Sequence, residues 1–473
     1  MRNLPNAVKI PLNYAASLIP KELYSSREFR RYRALLEETQ HWNIDKILDF
    51  QNREFLSLVH HCYRNVPYYQ ELFDRHGIDI KEIKDLRDIK KIPFLDKATV
   101  KANKDKLLAS NVKKRNFIPM YTGGTTHAPL DFYVTSITLE RERAFFDRMW
   151  KWHGYHGQKC MVLRGDYDLK ERLWVYNPRS KLITVNTRGL DDKKLAEIVG
   201  IMNKFKPAFI RAYPSIAYLL AKYVNQNGLS GKGQKLKTVF CASEILFDYQ
   251  KEEIEKAFSC KVVDHYGHSE MAVLMQKCEY NEFYHMIPEY GITEIVDGDG
   301  REVTEENSIG EIVGTGFNNY AFPLLRYRTG DLATVADSSY VCPCGRPYRS
   351  VKRIDGRWGD FIRTKKGKYY SPTVLEFAVD DIRHFKDIQL VQKDLMNVDL
   401  FIVRDRDFRL EDALQLQKGL EERLDYDLKV HIRIVDQIHR PENQKHRFVI
   451  SDIAANGEVR EKLEVGTISG RRP

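Results

Sequence analysis

Long apolar runs are missing from this sequence of 473 residues, and none approaches the ~18 residues that a membrane-spanning helix needs. Segment 1–20 starts with basic residues, but Lys9, Pro11 and Asn13 interrupt its apolar stretch, so we do not expect a secretory signal. We expect a leader packed on the first domain, with a peripheral membrane contact as the alternative. Internal repeats and low-complexity tracts are also missing, which leaves a globular protein as the expected class.

Cysteine is scarce, and the odd number of seven does not suit a disulfide framework. We therefore expect the reducing cytoplasm as the compartment. The net charge of +10 arises from 76 basic and 66 acidic residues, and no block of Lys and Arg with interleaved aromatics stands out. We therefore expect no nucleic-acid partner. The modest positive charge suits an anionic small ligand such as a nucleotide or coenzyme A, and would also suit an anionic membrane surface.

Hydrophobic residues make up 42% of the chain and charged residues 30%, and the length allows two or three domains. Residues 28–64 carry two helical patterns, and residues 66–104 have the character of a connector with prolines. From about 117 to 335 short apolar runs alternate with helical stretches, which predicts β-sheets covered by helices. The predicted helices in that region lie near 137–152, 191–205, 215–227 and 248–258.

A second pattern begins after residues 356–366. It predicts two strands, a helix and a further strand, at 388–392, 398–403, 410–424 and 430–435. The fold class is therefore mixed α/β, with a large N-terminal domain of sheets and helices and a small α+β C-terminal domain. We place the large domain at 1–357, divided into a helical leader (1–105) and an α/β core (106–357), and the small domain at 358–473.

Two glycines and three threonines form a turn between two predicted strands, in the stretch Tyr121-Thr-Gly-Gly-Thr-Thr-His-Ala-Pro129. Glycine lets backbone N–H groups face an anion, and threonine hydroxyls add donors, so Thr122, Gly123, Gly124, Thr125 and Thr126 form a candidate phosphate loop. A Walker A loop would end in Gly-Lys-Ser/Thr before a helix, and that sequence is missing here. An ordinary Gly/Thr hairpin is the alternative interpretation.

Two further motifs contain residue types that can contact the parts of a nucleotide. In Asp264-His-Tyr-Gly-His-Ser-Glu270 a tyrosine can stack on a purine, Gly267 permits close approach, and the terminal carboxylate can hold magnesium. In Leu325-Arg-Tyr-Arg-Thr-Gly-Asp331 the carboxylate follows a Thr-Gly turn and can accept hydrogen bonds from two ribose hydroxyls.

Together these motifs resemble the adenylate-forming enzymes, in the branch of phenylacetate–coenzyme A ligases and their capsular-polysaccharide-biosynthesis (CapK-like) relatives. The leader segments Asn65-Val-Pro-Tyr-Tyr and Ile92-Pro-Phe-Leu-Asp-Lys97 are similar to that branch, as are Gly356-Arg-Trp-Gly-Asp360 and Lys445-His-Arg-Phe-Val449. Matches follow the family's order from about residue 60 to 450. The chain departs from the family at Gly359, where an aspartate is usual, and at Gln444, where a glycine is usual.

The resemblance implies a role for each motif residue. Phosphates would lie on the 122–126 loop and Ser269, magnesium on Glu270, ribose on Asp331, and the nucleotide also against Arg357. The mobile C-terminal domain would bring Lys445 to the α-phosphate. The adenine pocket would be formed by Tyr266, Gly267, Ser243 and Glu244. For Arg326 and Arg328, phosphate contacts and structural contacts both stay open, as do loop and substrate roles for His265 and His268.

A metal site is expected at Cys278, His285, Cys342 and Cys344. Three thiolates and one imidazole form the tetrahedral set that zinc prefers, and some members of the resembled branch carry a similar set. Four protein ligands would close the site, so the zinc would be structural. The remaining cysteines, 62, 160, 241 and 260, are expected to be buried apolar residues.

The expected function is that of an ATP- and Mg-dependent ligase, which activates a carboxylic acid as acyl-AMP and passes the acyl group to coenzyme A. An amine or a sugar hydroxyl in surface-polysaccharide biosynthesis is the alternative acceptor, and a catalytically silent nucleotide-binding homologue is the second alternative. A homodimer stays open. Five aromatic residues expected near the acid favour an aromatic or apolar substrate: Trp150, Trp152, Tyr213, Tyr218 and Phe247.

Overall fold

A computed structural model describes residues 25–122, 130–164, 169, 172–229, 235–280, 282–376, 378–379, 382, 384–440 and 445–453. The predictions for Gly123, Gly124, Thr125, Thr126 and segment 1–20 lie outside these ranges. The helices are α1 Arg27–Thr39, α2 Ile44–Asn65, α3 Pro67–His76, α4 Lys97–Ala102, α5 Ser136–Trp152, α6 Asp192–Phe205, α7 Pro214–Gln226, α8 Asp248–Phe258, α9 Pro372–Glu376 and α10 Leu410–Arg423. Within the described ranges, none is long and apolar enough to cross a membrane.

The strands follow the same chain order. They are β1 Ile118–Tyr121, β2 Asp131–Val134, β3 Cys160–Leu163, β4 Trp174–Asn177, β5 Leu182–Val185, β6 Phe209–Ala212, β7 Thr238–Ala242, β8 Lys261–Gly267, β9 Leu274–Lys277, β10 Tyr284–Met286, β11 Gly291–Val296, β12 Ile309–Gly316, β13 Tyr327–Val335, β14 Ser350–Arg357, β15 Ile362–Arg363, β16 Tyr369–Tyr370, β17 Phe385–Gln392, β18 Asn397–Arg404, β19 Lys429–Val435 and β20 Val449–Ser451. Short 3-10 helices occupy Ile80–Glu82, Leu86–Lys91, Lys114–Asn116 and Trp358–Asp360.

One large sheet organises the N-terminal part. In the described part of the chain its order is β11-β12-β13-β14-β10-β9-β8-β7-β6-β3-β5-β4. Strands β8, β7, β6, β3 and β5 run parallel to one another, and helices α6, α7 and α8 connect β5 to β6, β6 to β7 and β7 to β8. The predicted mixed α/β fold is confirmed.

The segment predicted as a plain connector, 66–104, is an exception. It contains helix α3, which begins at Pro67 and ends where Gly77 adopts φ 61°. The segment was predicted as a connector with prolines, whereas proline fits the first turn of a helix, whose N–H groups have no partner.

The C-terminal strands and helix agree with the predicted pattern. Strands β17, β18, β19 and β20 form one four-stranded sheet, and α10 lies where the 410–424 helix was predicted. The core of this unit also includes Tyr218, Phe247 and Tyr249 from the N-terminal part. The two parts therefore share buried apolar surface, which stabilises their docking. The boundary at 357/358 stays a prediction, and β14 ends at Arg357.

Candidate active site

The hairpin β1–β2 carries the candidate phosphate loop at its tip. Its strands pair antiparallel from Ile118–Val134 to Tyr121–Asp131. Thr122 closes the base of the loop, because its N–H donates to the Leu130 carbonyl at 3.0 Å while its Oγ1 accepts the Leu130 N–H at 2.9 Å. The two strands predicted on either side of the loop are present, and residues 123–129 lie outside the described residues.

Glu270 lies just after β8 with both carboxylate oxygens engaged. Tyr327 donates its hydroxyl to Oε1 at 2.9 Å, and His268 Nδ1 lies 3.0 Å from Oε2. His268 Nε2 accepts the Val273 N–H at 3.2 Å, so Nδ1 carries the ring proton and donates it to Glu270. Burial is the largest single influence and opposes ionisation of Glu270, but the interactions with His268 and the hydrogen bonds from the backbone and Tyr327 together outweigh it and lower the pKa to about 2. An ionised carboxylate with remaining lone pairs suits Mg²⁺.

Asp331 joins three elements of the site. It is on β13, its Oδ2 accepts the hydroxyl of Tyr266 from β8 at 2.7 Å, and its Oδ1 accepts Nε–H of Arg357 from β14 at 2.9 Å. These contacts fix the orientation of the carboxylate and leave one lone pair on each oxygen for a ligand hydroxyl. The Asp331 carboxylate in turn raises the pKa of Arg357, so the guanidinium stays charged.

The two arginines that precede Asp331 have structural contacts. Arg326 forms two hydrogen bonds to Glu294, at 2.8 and 3.0 Å, and lies over the Phe94 ring at 3.9 Å. Arg328 pairs with Glu311 at 2.7 Å. Of the two roles left open by the sequence, the described contacts favour the structural one.

The C-terminal unit closes one side of the site. The backbone N–H of His446 donates to Glu244 Oε1 at 2.6 Å, and Ser215 N–H donates to Glu244 Oε2 at 3.0 Å. Arg447 donates from Nε to Asp360 Oδ1 at 2.8 Å and from NH2 to the Gly359 carbonyl at 3.0 Å. These bonds place Lys445 at the seam, which is the contact between the N-terminal part and the C-terminal unit. Lys445 lines a cavity there.

A cavity of about 1330 Å³ lies at this seam. It brings together the described motif residues: Thr122, Ser243, Glu244, Tyr266, Gly267, Ser269, Glu270, Asp331, Arg357 and Lys445. Ser243, Glu244, Tyr266 and Gly267 lie at the carboxyl ends of the parallel strands β7 and β8, where open α/β sheets bind ligands. Gly356 has φ 98°, and a Cβ there would lie 3.2 Å from Ile245 Cδ1. The backbone at this point therefore requires glycine.

Several lining residues were not predicted from the sequence. Lys97 starts helix α4, and burial lowers its pKa while the Glu270 carboxylate opposes that shift. Its position follows from Leu95, which exchanges backbone hydrogen bonds with Arg326 and Arg328 at 3.0 and 2.8 Å. Glu142, Arg164, Arg211 and Arg447 also line the cavity. Lys97 lies in the motif segment 92–97 and Arg447 in the motif segment 445–449, so the motifs could have indicated these two residues.

The expectation for the acid pocket was partly wrong. Trp150, Tyr213 and Phe247 line the cavity. Trp152 instead donates its indole N–H to Gln40 at 2.9 Å, beside Arg346. Tyr218 is buried in the core shared with the C-terminal unit. Aromatic residues near a site are often ordinary core residues, and sequence position alone did not separate the two groups.

The predicted metal ligands converge away from this cavity. The ligand atoms of Cys278, His285, Cys342 and Cys344 all lie within 4.8 Å of one another. Cys278 Sγ is 3.5 Å from Cys342 Sγ, and Cys344 Sγ is 3.5 Å from His285 Nε2. Zn–S bonds of about 2.3 Å in a tetrahedron require sulfurs about 3.8 Å apart, so the set fits zinc. Ser350 Oγ lies 3.1 Å from His285 Nδ1 and orients the ring.

Known proteins that resemble this chain in sequence or fold include CapK proteins and CoA ligases. Residues 362–452 match the CapK C-terminal domain family. The chain is similar to Protein CapK of Staphylococcus aureus, with 25% identity over 444 residues, covering 92% of this chain and 94% of that one. It is also similar to the phenylacetate–coenzyme A ligase of Thermus thermophilus, with 25% identity over 342 residues, covering 70% and 75%.

Among solved structures, a 2-hydroxyisobutyryl-CoA ligase in the postadenylation state has the same fold. Its TM-score is 0.72 at 18% identity, over 88% of this chain and 92% of that one. The resemblance drawn from the sequence, to the branch of phenylacetate–coenzyme A ligases and CapK-like proteins, is confirmed.

Proposed function

We propose that this protein uses ATP and Mg²⁺ to activate a carboxylic acid as its acyl-adenylate and then transfers the acyl group to an acceptor, coenzyme A first. The observation that carries this proposal is the single cavity at the seam. Within it the candidate ribose carboxylate Asp331, the candidate magnesium ligand Glu270 and the cation Lys445 all line one space. A silent nucleotide-binding protein would not need this complete set.

In the first half-reaction a substrate carboxylate oxygen attacks the α-phosphorus of ATP. A new P–O bond forms, the bond to the oxygen that bridges to the β-phosphorus breaks, and pyrophosphate leaves. Asp331 would hold the ribose, because Tyr266 and Arg357 already fix its orientation. Lys445 would face the charge that develops on the α-phosphate. Glu270 would hold Mg²⁺, which supplies charge neutralisation on the phosphates when bound.

In the second half-reaction the acceptor attacks the acyl carbon, its proton is released, and AMP leaves. A thiol acceptor follows from similarity to ligases named for coenzyme A. An amine or sugar hydroxyl is the second candidate. It is favoured by the match of the C-terminal unit to the CapK family and by similarity to Protein CapK over 92% of the chain.

We also propose that the four-residue cluster binds structural zinc, on the strength of its donor set and its distances. The proposed compartment is the cytoplasm, since none of the seven cysteines is paired in a disulfide in the described residues.

The test is pyrophosphate release from ATP and Mg²⁺ across a panel of carboxylic acids. Asp331→Asn should lower kcat/KM for ATP about 10–100-fold, the loss expected for charged hydrogen bonds. Lys445→Ala should lower kcat about 100–1000-fold, since it removes a cation placed for the transition state. Lys418→Ala is the matched control, because Lys418 is exposed on α10 and should leave the rate unchanged.

A second experiment identifies the acceptor. Coenzyme A, an amino sugar and a neutral sugar are added separately after adenylation, and AMP release and acylated product are measured by mass spectrometry. Release with coenzyme A alone would establish the thiol, and release with a sugar alone would establish the alternative. Failure of every acid to release pyrophosphate, together with no ATP binding, would refute the proposed activity.

A further inference from the structure

The inner end of the cavity lies between helix α5 and one face of the parallel strands. Residues paired directly across neighbouring strands point to the same side, and Arg211 on β6 pairs with Val162 on β3 and Phe240 on β7. Phe240 pairs with Val263 on β8, so His265, two residues further along β8, occupies the same face as Arg211. The end of this face therefore carries polar and charged side chains directly under α5.

Helix α5 supplies the opposite wall. Phe146 and Trp150 are four residues apart and so lie on one face of the helix. The Phe146 ring is 5.2 Å from the His265 ring, and the Arg211 guanidinium carbon is 4.4 Å from the Trp150 ring centroid. A guanidinium stacked on an indole keeps its N–H edges available for a planar anion.

Two arginines supply positive charge at this inner end. Arg211 has no ion pair with any carboxylate in the described residues, and the neighbouring Arg164 guanidinium carbon lies 5.2 Å from the Tyr213 ring centroid. The adjacent Asp264 also lines the cavity, and Lys277 pairs with it at 3.3 Å. His265 does not add charge at neutral pH, because burial lowers its pKa to about 4.

Glu142 is the acidic side chain that α5 places near this end. Its Oε2 accepts the hydroxyl of Tyr290 at 2.7 Å. Burial raises the pKa of Glu142 to about 7, although the Tyr290 hydrogen bond opposes the shift. A carboxyl that is partly protonated at neutral pH offsets only part of one positive charge, so the cationic surplus at Arg211 remains.

We propose that the acid activated here carries a second anionic group, which Arg211 binds at the inner end of the cavity while the reacting carboxylate faces Lys445. The inference rests on the proposed function, since it names the substrate class of that site. An acid with an apolar tail would cover the Arg211 guanidinium without compensating its charge, which is unfavourable. An acid with a distal anion would pair with it and gain bidentate hydrogen bonds. This replaces the aromatic or apolar acid expected from the sequence.

Matched acid pairs test the proposal, each pair differing by one terminal carboxylate. Suitable pairs are butanoate with succinate, hexanoate with adipate, and benzoate with terephthalate. Two readouts are taken for every acid: kcat/KM for pyrophosphate release, and calorimetric binding without ATP. In at least one pair the diacid should exceed its monoacid by about tenfold or more in both readouts, as a charged hydrogen bond predicts.

Variants then assign the preference to a residue. Arg211→Gln should lower the diacid-to-monoacid ratio about 10–100-fold, and Arg211→Lys should restore part of it because the charge is kept but the bidentate geometry is lost. The control is Arg433→Gln, an exposed arginine on β19, which should leave the ratio unchanged. The melting temperature of each variant shows that it is folded.

The two readouts separate this inference from the proposed function. Diacid binding that depends on Arg211, without pyrophosphate release from any acid, would support the anion site and refute the ligase activity. Pyrophosphate release from monoacids, with no diacid preference in any pair or with equal loss for both acids in Arg211→Gln, would overturn the anion site and leave the ligase activity standing. Absence of both binding and release across the panel would overturn both.

Discussion

Replacing Glu142 with glutamine should stabilise the free protein at alkaline pH and not at acidic pH. The carboxyl lies in helix α5 against the cavity, and its Oε2 accepts the Tyr290 hydroxyl at 2.7 Å. Burial raises its pKa from 4.5 to about 7, with the Tyr290 hydrogen bond acting in the opposite direction. Glutamine keeps a carbonyl acceptor for Tyr290 but has no proton to lose.

The sign follows from proton binding. Between pH 4.5 and about 7 the folded state holds a proton on Glu142 that the unfolded chain has released. The associated stability is therefore fully present below pH 4.5 and is lost as pH rises through 7. A shift of about 2.5 units at about 1.4 kcal/mol per unit corresponds to about 3 kcal/mol. Partial exposure of the side chain reduces this to about 1–3 kcal/mol.

Thermal unfolding at pH 5 and pH 8, at equal ionic strength, measures the effect. The Glu142→Gln variant should melt about 1–5 °C higher than the natural chain at pH 8, with a much smaller difference at pH 5. Glu411→Gln removes one exposed negative charge from α10 and serves as the matched control for net charge. Equal effects of Glu142→Gln at both pH values, or a loss of stability at pH 8 only, would refute the reasoning.

Three other perturbations test separate parts of the structure. Cys342→Ser should release one equivalent of zinc, measured by mass spectrometry of the purified protein, and zinc retained at full occupancy would contradict the predicted ligand set. Lys222→Met should cost about 3–5 kcal/mol and expose the C-terminal unit to limited proteolysis, because it leaves Asp405 buried and unpaired. Arg447→Ala should slow pyrophosphate release more than it slows acyl transfer from supplied acyl-adenylate, since it removes the contact with Asp360. Equal slowing of both steps would exclude that role.

Periodicity predicted most of the fold because the signals are local. The helix at 248–258 coincides with α8, and the C-terminal strand at 398–403 lies within β18. Each of these elements buries a regular set of side chains, so the pattern of apolar residues predicts its type. Helix α3 was missed because its first residue is Pro67. Proline disrupts the interior of a helix but is favoured in its first turn, and the sequence around Pro67 does not show which of these two positions it occupies.

The candidate site could be predicted only where a motif carries the signal. Glu270 and Asp331 belong to continuous strings, so their roles could be suggested from the sequence. Arg211 belongs to no such string, and its neighbours Trp150 and Phe240 come from other elements. The register of β6 against β7 places Arg211 beside Phe240, and no local pattern reports that register. Substrate specificity is therefore the property that the sequence alone predicted least well.

The contacts between the two parts connect the site to the proposed order of the half-reactions. Lys222 and Asp405 form a buried pair at 2.9 Å, and Arg447 binds the segment that follows β14. Both contacts hold the C-terminal unit where Lys445 lines the cavity. Access of a large acceptor to the acyl carbon would require this unit to leave its position after the proposed adenylation, and the two contacts would then break. We expect Gly359, which lacks a Cβ, to serve as the pivot, while Arg447 docks the unit through its bond to the Gly359 carbonyl.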